Sequence, residues 1–482
     1  MSAIPQFSLI INGEKVPGSG GRRTAIVNPA TGEIAAHVSQ AETEDVGMAV
    51  QAALRAFNRG DWRRATPTSR GVILRKIAEL IRVNSEELAL LETQQVGKPI
   101  SDSRGEAAAA AAFFDYYAGV IPAFGGETVP LSSNGTGLTF HEPMGVCAQI
   151  IPWNFPIVIT AWKAAPALAM GNSIVVKPAP ATPLTAVRMA EIAQEAGLPP
   201  GVFNVIPGCD ETGEALSLHP GVRKISFTGS TVVGKAVMRA AAADMKRVSL
   251  ELGGKSASIV FADADLEKVA SGVSCVFDNA GQDCCARSRM YIERPIYNQF
   301  IEQFVESARK LRMGDVMDPA TQYGSLISKE HRDRVDMYVR NGVEQGARLV
   351  LGGKSAIGGV FDAGAFYEPT IFADATPDMT IVREEIFGPV VCIMPFDTEE
   401  EAIRLANDSA YGLSGSLWTR DIARVLRVVR AFQTGVISVN SHSSVHKELP
   451  FGGFKESGMG KELGIAALES YSELKSVFIS SE

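Results

Sequence analysis

Apolar and polar residues alternate across residues 8–17 on either side of Asn12-Gly13, a pattern that predicts a small hairpin. The period then lengthens. Over 68–82 the residues Ile73, Ile77, Leu80 and Ile81 recur at helical spacing, and a second helix is predicted where Asn84 and Glu87 form a capping box ahead of Leu88 and Leu91. Residues 106–114, rich in alanine, predict a further helix with small side chains suited to close packing and no site on it. Across 121–143 Pro, Gly, Ser and Thr remove any helical period, which predicts an arm of strands and turns that leaves its domain and pairs elsewhere.

Short apolar runs then alternate with helical segments. Strands are predicted at 146–151, 173–176, 202–206, 224–227 and 248–252, with intervening helices such as 182–196. This is βαβ order, which puts a nucleotide-type ligand at the carboxyl edge of a parallel sheet. A second series begins at Ala257, with a strand at 259–261, helices at 266–277 and 297–311, strands at Thr370 and 390–396, a helix at 399–407 and a strand at 435–440. The alternation over 471–480 predicts an edge strand for a partner or for the early arm.

A chain of 482 residues is long for one hydrophobic core, so two or three domains are expected. With 46% hydrophobic and 21% charged residues the composition is that of an ordinary soluble globular protein. The net charge of -8 argues against a nucleic-acid partner, which favours a basic face. Apart from adjacent Cys284 and Cys285, the six cysteines form neither a disulfide framework nor a C-x-x-C pair, and of the six histidines only His442 and His446 fall close together. Those two are expected on a solvated loop, and no metal site is predicted. The start, M-S-A-I-P-Q-F-S-L-I-I-N-G-E, lacks the basic opening and long apolar core of a signal peptide, and no uncharged run is long enough for a bilayer. No membrane association is expected, and the predicted location is a reducing cytoplasm.

The candidate chemistry centres on residues 277–289, F-D-N-A-G-Q-D-C-C-A-R-S-R, where two thiols follow Gly281 and Gln282. A thiolate is a far better nucleophile than a hydroxyl, but a free cysteine with pKa ~8.5 is only a few per cent ionised at neutral pH. A reactive sulfur here therefore needs help, and the alternative is that both sulfurs simply pack. The segment 227–234, F-T-G-S-T-V-V-G, lies at a strand-to-helix junction, where exposed amides and the helix dipole attract phosphate. A glycine-rich turn there also has an ordinary structural use. Lys177 leaves the same sheet edge, where it can meet a ribose or phosphate or be solvated. Glu251, followed by Gly253 and Gly254, brings a carboxylate that can activate water if partial burial raises its pKa from ~4.3 toward neutrality; otherwise it is an exposed turn residue. Asn154, in I-P-W-N-F-P, offers an uncharged donor for an oxyanion, and Trp153 and Phe155 beside it can line an apolar pocket or only pack.

The motifs I-P-W-N-F-P, F-T-G-S-T-x-x-G, E-L-G-G-K, G-Q-x-C, E-E-I-F-G-P and P-F-G-G-x-K-x-S-G, in that order across nearly the whole chain, resemble the aldehyde dehydrogenase superfamily. The resemblance implies an α/β fold with a variant Rossmann cofactor domain (1–122 and 144–251), an α/β catalytic domain (252–465) and a small oligomerisation β-arm (123–143 and 466–482), assembled as a homodimer or homotetramer. By register with G-Q-x-C it implies that Cys284 is the nucleophile and Cys285 a neighbour, with Glu251 as general base. Asn154 and the backbone N–H of Cys284 correspond to the oxyanion hole. Lys177, Ser230 and Glu385 fall on positions for the adenine ribose, pyrophosphate and nicotinamide ribose of a nicotinamide cofactor, with Phe387 flanking its nicotinamide end. Around them the implied cofactor contacts are Ile151, Pro152 and Trp153 on one loop, Thr228, Gly229 and Gly234 on another, and Pro180 and Leu252. The implied pocket for a small-molecule aldehyde is lined by Phe155, Trp162, Asp278, Asp283, Val445 and Phe451. Attack by Cys284 would give a thiohemiacetal, hydride would leave for the cofactor, and water activated by Glu251 would release the acid from a thioester. Glu251 speaks for hydrolysis, since coenzyme A-acylating members typically lack that glutamate.

Two departures from the family pattern bear on specificity. Many NAD-preferring relatives carry a glutamate three residues after the lysine, where this chain has Pro180; the change removes a ribose contact and a repulsion against a 2′-phosphate, so NAD is expected with NADP as a second acceptor. Asp278 stands where relatives often have an aromatic residue and Asp283 precedes the nucleophile. Two carboxylates near the sulfur would raise its pKa and attract a cationic substrate such as an aminoaldehyde, and N-A-G-Q-D-C is similar to aminobutyraldehyde dehydrogenases. Against that, the helix around Ala109 lacks an acid that aminoaldehyde-specific relatives can carry, and Val445 replaces a frequent aromatic. A noncatalytic structural relative is the alternative from another class, and retention of Cys284, Glu251 and Asn154 argues against it.

Overall fold

Every residue of the strands Val146–Ile150, Ser173–Lys177 and Phe203–Val205 is buried, which is why they read as short, mostly apolar runs without a period of two. In the computed structural model, which describes residues 4–481, they form the parallel centre of an eight-stranded sheet together with Lys224–Thr228 and Arg247–Glu251. Residues 1–3 and 482, the outermost positions of the expected first and last segments and of the N-terminal stretch, lie outside the described residues. The hairpin of Leu9–Ile11 and Glu14–Val16 closes one edge. Its two turn residues, Asn12 (φ 56°) and Gly13 (φ 78°), take the left-handed conformation that such a tight turn requires. At the other edge Gly458–Met459 pairs antiparallel with Leu250 and Glu251.

The second series folds into a seven-stranded sheet, ordered Arg348–Leu351, Thr370–Ala373, Val390–Phe396, Arg289–Glu293, Ala257–Val260, Ser414–Trp418 and Val436–Val439. All its pairings are parallel except the first. A separate apolar core lines it, while two others line the faces of the eight-stranded sheet. Gly135–Pro143 and the C-terminal strand Ser472–Ser480 pair along their whole length, so the end of the chain does join the early arm. Phe140, Leu474, Phe478 and Ile479 stay exposed on it. Among the described residues no helix is long and apolar enough to cross a membrane.

Three local expectations are corrected. Asn84 does not build a capping box: it is the single link between the helices Pro67–Val83 and Ser85–Val96, so its backbone (φ −97°, ψ 17°) lacks the extended conformation of an N-cap. Its amide donates backwards to the Leu80 carbonyl, and Glu87 pairs with Arg188. The helix predicted over 266–277 breaks at Gly272 into Leu266–Ser271 and Ser274–Phe277. A Cβ at Gly272 would lie 2.5 Å from the His442 ring, so the chain bends where that histidine packs. His442 is accordingly no solvated residue. Its ring sits 4.6 Å from that of Trp418, and burial pulls its pKa down to about 4.

Candidate active site

The thiol loop is shaped by three consecutive left-handed residues, Asn279 (φ 47°), Ala280 (φ 55°) and Gly281 (φ 73°). For Asn279 and Ala280 this conformation costs about 1–2 kcal/mol each. Gln282 holds it. Fully buried, its amide donates to the carbonyls of Asn279 (2.9 Å) and Ser325 (3.3 Å) and accepts from the Ile327 N–H (2.8 Å). A Cβ at Gly281 would come within 2.2 Å of the Gly388 carbonyl oxygen, so the Gly-Gln pair ahead of the thiols is dictated by space and by hydrogen bonding. The chain then turns over Asp283–Ala286, closed by Ala286 N–H to Asp283 O (3.1 Å) and by Cys285 N–H to Asp283 Oδ1 (2.9 Å), with Cys284 and Cys285 in the middle. Cys284 is half-buried and Cys285 buried. The Cys284 thiol is held well above its ordinary range, first by its hydrogen bond with Cys285, then by burial, with the charges of Asp283 and Glu385 adding to both.

Residues distant in sequence converge on this turn. Asn154 is buried, and its Nδ2 donates to the Gln282 carbonyl at 2.9 Å, which leaves its second N–H available. The Asn154 carbonyl is clamped from two sides, by Lys98 Nζ and Asn279 Nδ2, both at 2.9 Å. Gly254 passes so close that a Cβ there would lie 2.3 Å from the Cys284 carbonyl oxygen, while one at Gly253 would lie 2.1 Å from Glu385 Oε2. The Gly254 N–H donates to Glu385 Oε1 at 2.8 Å, and burial pushes the Glu385 carboxyl up to about 7.

Glu251 ends the strand Arg247–Glu251, buried, and neither carboxylate oxygen has a hydrogen-bond partner. Burial raises its pKa well above the usual carboxylate range, helped by the charge of Glu462 and opposed by Lys163 and Lys461. A Cβ at Gly452 would lie 2.8 Å from Glu251 Oε1, which explains a glycine in P-F-G-G. Glu462 is the satisfied counterpart, accepting from Trp162 Nε1, Lys163 Nζ and Ser226 Oγ.

Along the carboxyl edge, Lys177 is buried, its pKa lowered by burial, and its Nζ has no hydrogen bond or ion pair among the described residues. Ile151 N–H bonds the Lys177 carbonyl at 3.0 Å, with Pro152 half-buried beside it. Thr228 Oγ1 is buried and unpartnered. Beyond Gly229, Ser230 caps the helix Thr231–Ala242 by accepting from Val233 N–H. Gly234 lets that helix close on Leu252, whose Cδ2 a Cβ would meet at 2.4 Å. Pro180 is exposed. Trp153 stacks edgewise on Phe387 (5.2 Å) and His331 (5.5 Å), and His331 Nε2 lies 2.8 Å from the Phe387 carbonyl oxygen, fixing that residue at φ 58°. These features fit a dinucleotide: an unpartnered cation, a buried orphaned hydroxyl, a helix N-terminus capped by Ser230 and an aromatic wall on one edge.

On the other side of the turn, Trp162 is buried between Phe451 (5.0 Å) and Phe113 (6.1 Å), while Val445 is exposed. Phe155 is half-buried beneath Lys98, whose ammonium sits 4.3 Å from its ring centre and 2.5 Å from Glu106 Oε1. Asp278 is open to solvent but walled by protein, which raises its pKa. Of the two acids, Asp283 is among the principal charges on Cys284 and Asp278 is not. Asp278 instead faces the helix Ile100–Val120: burial first, and then the Asp278 charge, push Asp102 up to about 6. Glu106 is raised well above its ordinary range, mainly by burial, with Asp278 contributing. That helix, read as carrying no site, thus supplies acids one and two turns before Ala109. Lys98, Asp102, Glu106, His331 and Glu462 carry no motif that singles them out; the only hint at Lys98 is a charge in the Gly-Lys-Pro break between two packed helices. Asp283, Cys284 and Cys285 are the only set of three or more potential metal-ligand side chains found among the described residues, their donor atoms all within 4.8 Å of one another.

The profile of the Aldehyde dehydrogenase family matches residues 16–477. The betaine aldehyde dehydrogenase of Bacillus subtilis (strain 168) is 43% identical over 475 residues, covering 98% of this chain and 97% of the relative. The crystal structure of an NAD-dependent aldehyde dehydrogenase from Sinorhizobium meliloti superposes with a TM-score of 0.97 at 40% identity, covering 99% of this chain and 95% of that one. An NAD+ complex of an aldehyde dehydrogenase from Bacillus cereus superposes with a TM-score of 0.96 at 42% identity, covering 99% and 97%.

Proposed function

The chain belongs to the aldehyde dehydrogenase family, enzymes that oxidise an aldehyde to the carboxylic acid with NAD, and on that premise we propose that Cys284, Glu251 and Asn154 carry the reaction. What supports this most directly is the bond from Asn154, at the first sheet's edge, to the backbone two residues before Cys284, with the buried, unpartnered Glu251 ending a strand of the same sheet. The Cys284 sulfur attacks the aldehyde carbon and forms a tetrahedral thiohemiacetal. The free N–H of Asn154 and the backbone N–H of Cys284 stabilise its oxyanion, a contribution that donors fixed in advance make without reorganising. NAD, when bound, supplies the hydride acceptor. Glu251 takes a proton from the water that attacks the resulting thioester; its raised pKa makes it a stronger base than an exposed glutamate. Lys177, Ser230 and Glu385 would hold the cofactor, with Trp153 and Phe387 as its aromatic wall. Pro180 offers no carboxylate to repel a 2′-phosphate, so NADP serves as a second acceptor.

The sheet memberships support division into a cofactor-binding part (1–122 and 144–251), a catalytic part (252–465) and an arm (123–143 and 466–482), with Gly458–Met459 crossing onto the cofactor sheet beside Glu251. Exposed Phe140, Leu474, Phe478 and Ile479 on the arm support a homodimer or homotetramer. Six free cysteines suit a reducing cytoplasm. A cationic aldehyde, such as an aminoaldehyde, is the substrate reading favoured by Asp278 facing Asp102 and Glu106. Purified enzyme assayed with hexanal and 4-aminobutyraldehyde and with either cofactor tests these assignments: Cys284→Ala should abolish acid formation, oxidation that survives the substitution would remove Cys284 as the nucleophile, and wild type that oxidises neither aldehyde would return the noncatalytic reading.

A further inference from the structure

We propose that Asp283, Cys284 and Cys285 form a chelating site for a soft divalent cation such as Zn²⁺ or Cd²⁺. Adjacent cysteines in an extended strand point to opposite faces, but here they occupy the middle of a closed turn, and their sulfurs and the Asp283 carboxylate all lie within 4.8 Å of one another. In a tetrahedral site with Zn–S of about 2.3 Å and Zn–O of about 2.0–2.2 Å, two sulfurs stand about 3.8 Å apart and a sulfur and an oxygen about 3.5 Å apart. Rotation about the side-chain bonds by an ångström or so closes the difference, while Gln282 and the Cys285 N–H bond to Asp283 hold the backbone still. Two thiolates with one carboxylate select thiophilic cations over Mg²⁺ or Ca²⁺. The half-buried Cys284 and Asp283 give access from the cleft and leave a fourth position for water.

Binding breaks two S–H bonds and forms two metal–sulfur bonds, with both protons passing to solvent and no change of oxidation state. It gathers the negative charges that otherwise oppose one another at Cys284 around one positive ion. It also engages the Cys284 lone pair, so a loaded chain cannot attack an aldehyde. The site gives Cys285 a role and does not depend on which of the two sulfurs is the nucleophile.

The test is direct cadmium binding to the full-length enzyme without cofactor or added thiol, followed by the ultraviolet thiolate-to-cadmium charge-transfer band, with Zn²⁺ as competitor. One equivalent per chain should bind. Cys284→Ala and Cys285→Ala should each remove about half the band and weaken binding at least about tenfold, and Asp283→Asn should weaken binding but keep the band. Cys209→Ala should change nothing. A band left at full intensity by loss of either Cys284 or Cys285, or one that falls with loss of Cys209, overturns the site. X-ray absorption on cadmium-loaded wild type decides the matter without any variant: two sulfur neighbours support the chelate, and one or none rejects it.

Discussion

Lys163 and Lys98 are both fully buried and both bonded to a glutamate, Glu462 and Glu106 respectively, yet the acids around them end in different states. Around Lys163, three donors saturate Glu462, and Glu251 is left without a single hydrogen bond. Around Lys98, the ammonium is divided between Glu106 and the Asn154 carbonyl, and two further acids, Asp102 and Asp278, lean on the same charge. The lesson is that burial alone does not define a working carboxylate. Fully partnered Glu462 is spent on structure; unpartnered Glu251 is available for chemistry, and the Lys98 group can respond to what enters the cleft.

The sharpest way to break this comparison is Glu251→Gln, which keeps the shape and removes the base. Steady-state turnover should fall about 10²–10⁴-fold, while a stopped-flow burst of NADH, about one per active site, persists because hydride transfer precedes the hydrolytic step. Burst and steady state falling together would mean that Glu251 is no specific base for hydrolysis. Glu462→Gln should act on stability instead. Breaking a buried ion pair by altering one partner costs about 3–5 kcal/mol, so the urea midpoint should drop markedly while the burst remains.

Lys98 is the next test. Loss of a hydrogen bond from a charged donor costs about 1.5–3 kcal/mol, and here the bond fixes the loop that carries Asn154. Lys98→Met should lower kcat about tenfold or more with little change in the KM for NAD, and Lys98→Arg should restore part of it. An unchanged kcat would make Lys98 a purely structural counterion to Glu106.

How much of this was legible in the sequence follows from the range of each interaction. The parallel strands were readable because burial on both faces makes them mostly apolar runs, and the thiol loop was readable as a motif, although the contacts that demand Gly281 and Gln282 come from Gly388, Ser325 and Ile327 far along the chain. Lys163 and Glu462 are 299 residues apart, and no periodicity on one helix reveals what faces it from so far away. Glu251 could be placed at a strand end, but its lack of partners belongs to three dimensions. The alanine-rich helix showed no site in the sequence, and the relation of its Asp102 and Glu106 to Asp278 belongs to three dimensions. Asn84 misled for the opposite reason: its local signature was sound, but the one-residue link between two helices left no room for a cap.

The smallest predicted effect concerns that acid group and has a definite sign. Asp102 has a folded pKa of about 6 against an ordinary 3.8, so the folded chain holds a proton that the unfolded chain has released between those values. Its contribution to stability is therefore full below the unfolded pKa and is lost as pH rises through about 6. Selectivity runs the other way, because only the ionised group attracts a cation. The ratio of kcat/KM for 4-aminobutyraldehyde over hexanal should rise across that pH and level off above it, by about fivefold, the size of one partly screened charge. Asp278→Asn should reduce the ratio at high pH and shift its midpoint downward, since the Asp278 charge helps hold Asp102 protonated. A ratio that is flat with pH and unchanged by Asp278→Asn would leave the acids beside Lys98 as neutralisers of that lysine and nothing more, and selection of the aldehyde would then fall to the proposed aromatic pocket residues Phe155, Trp162 and Phe451.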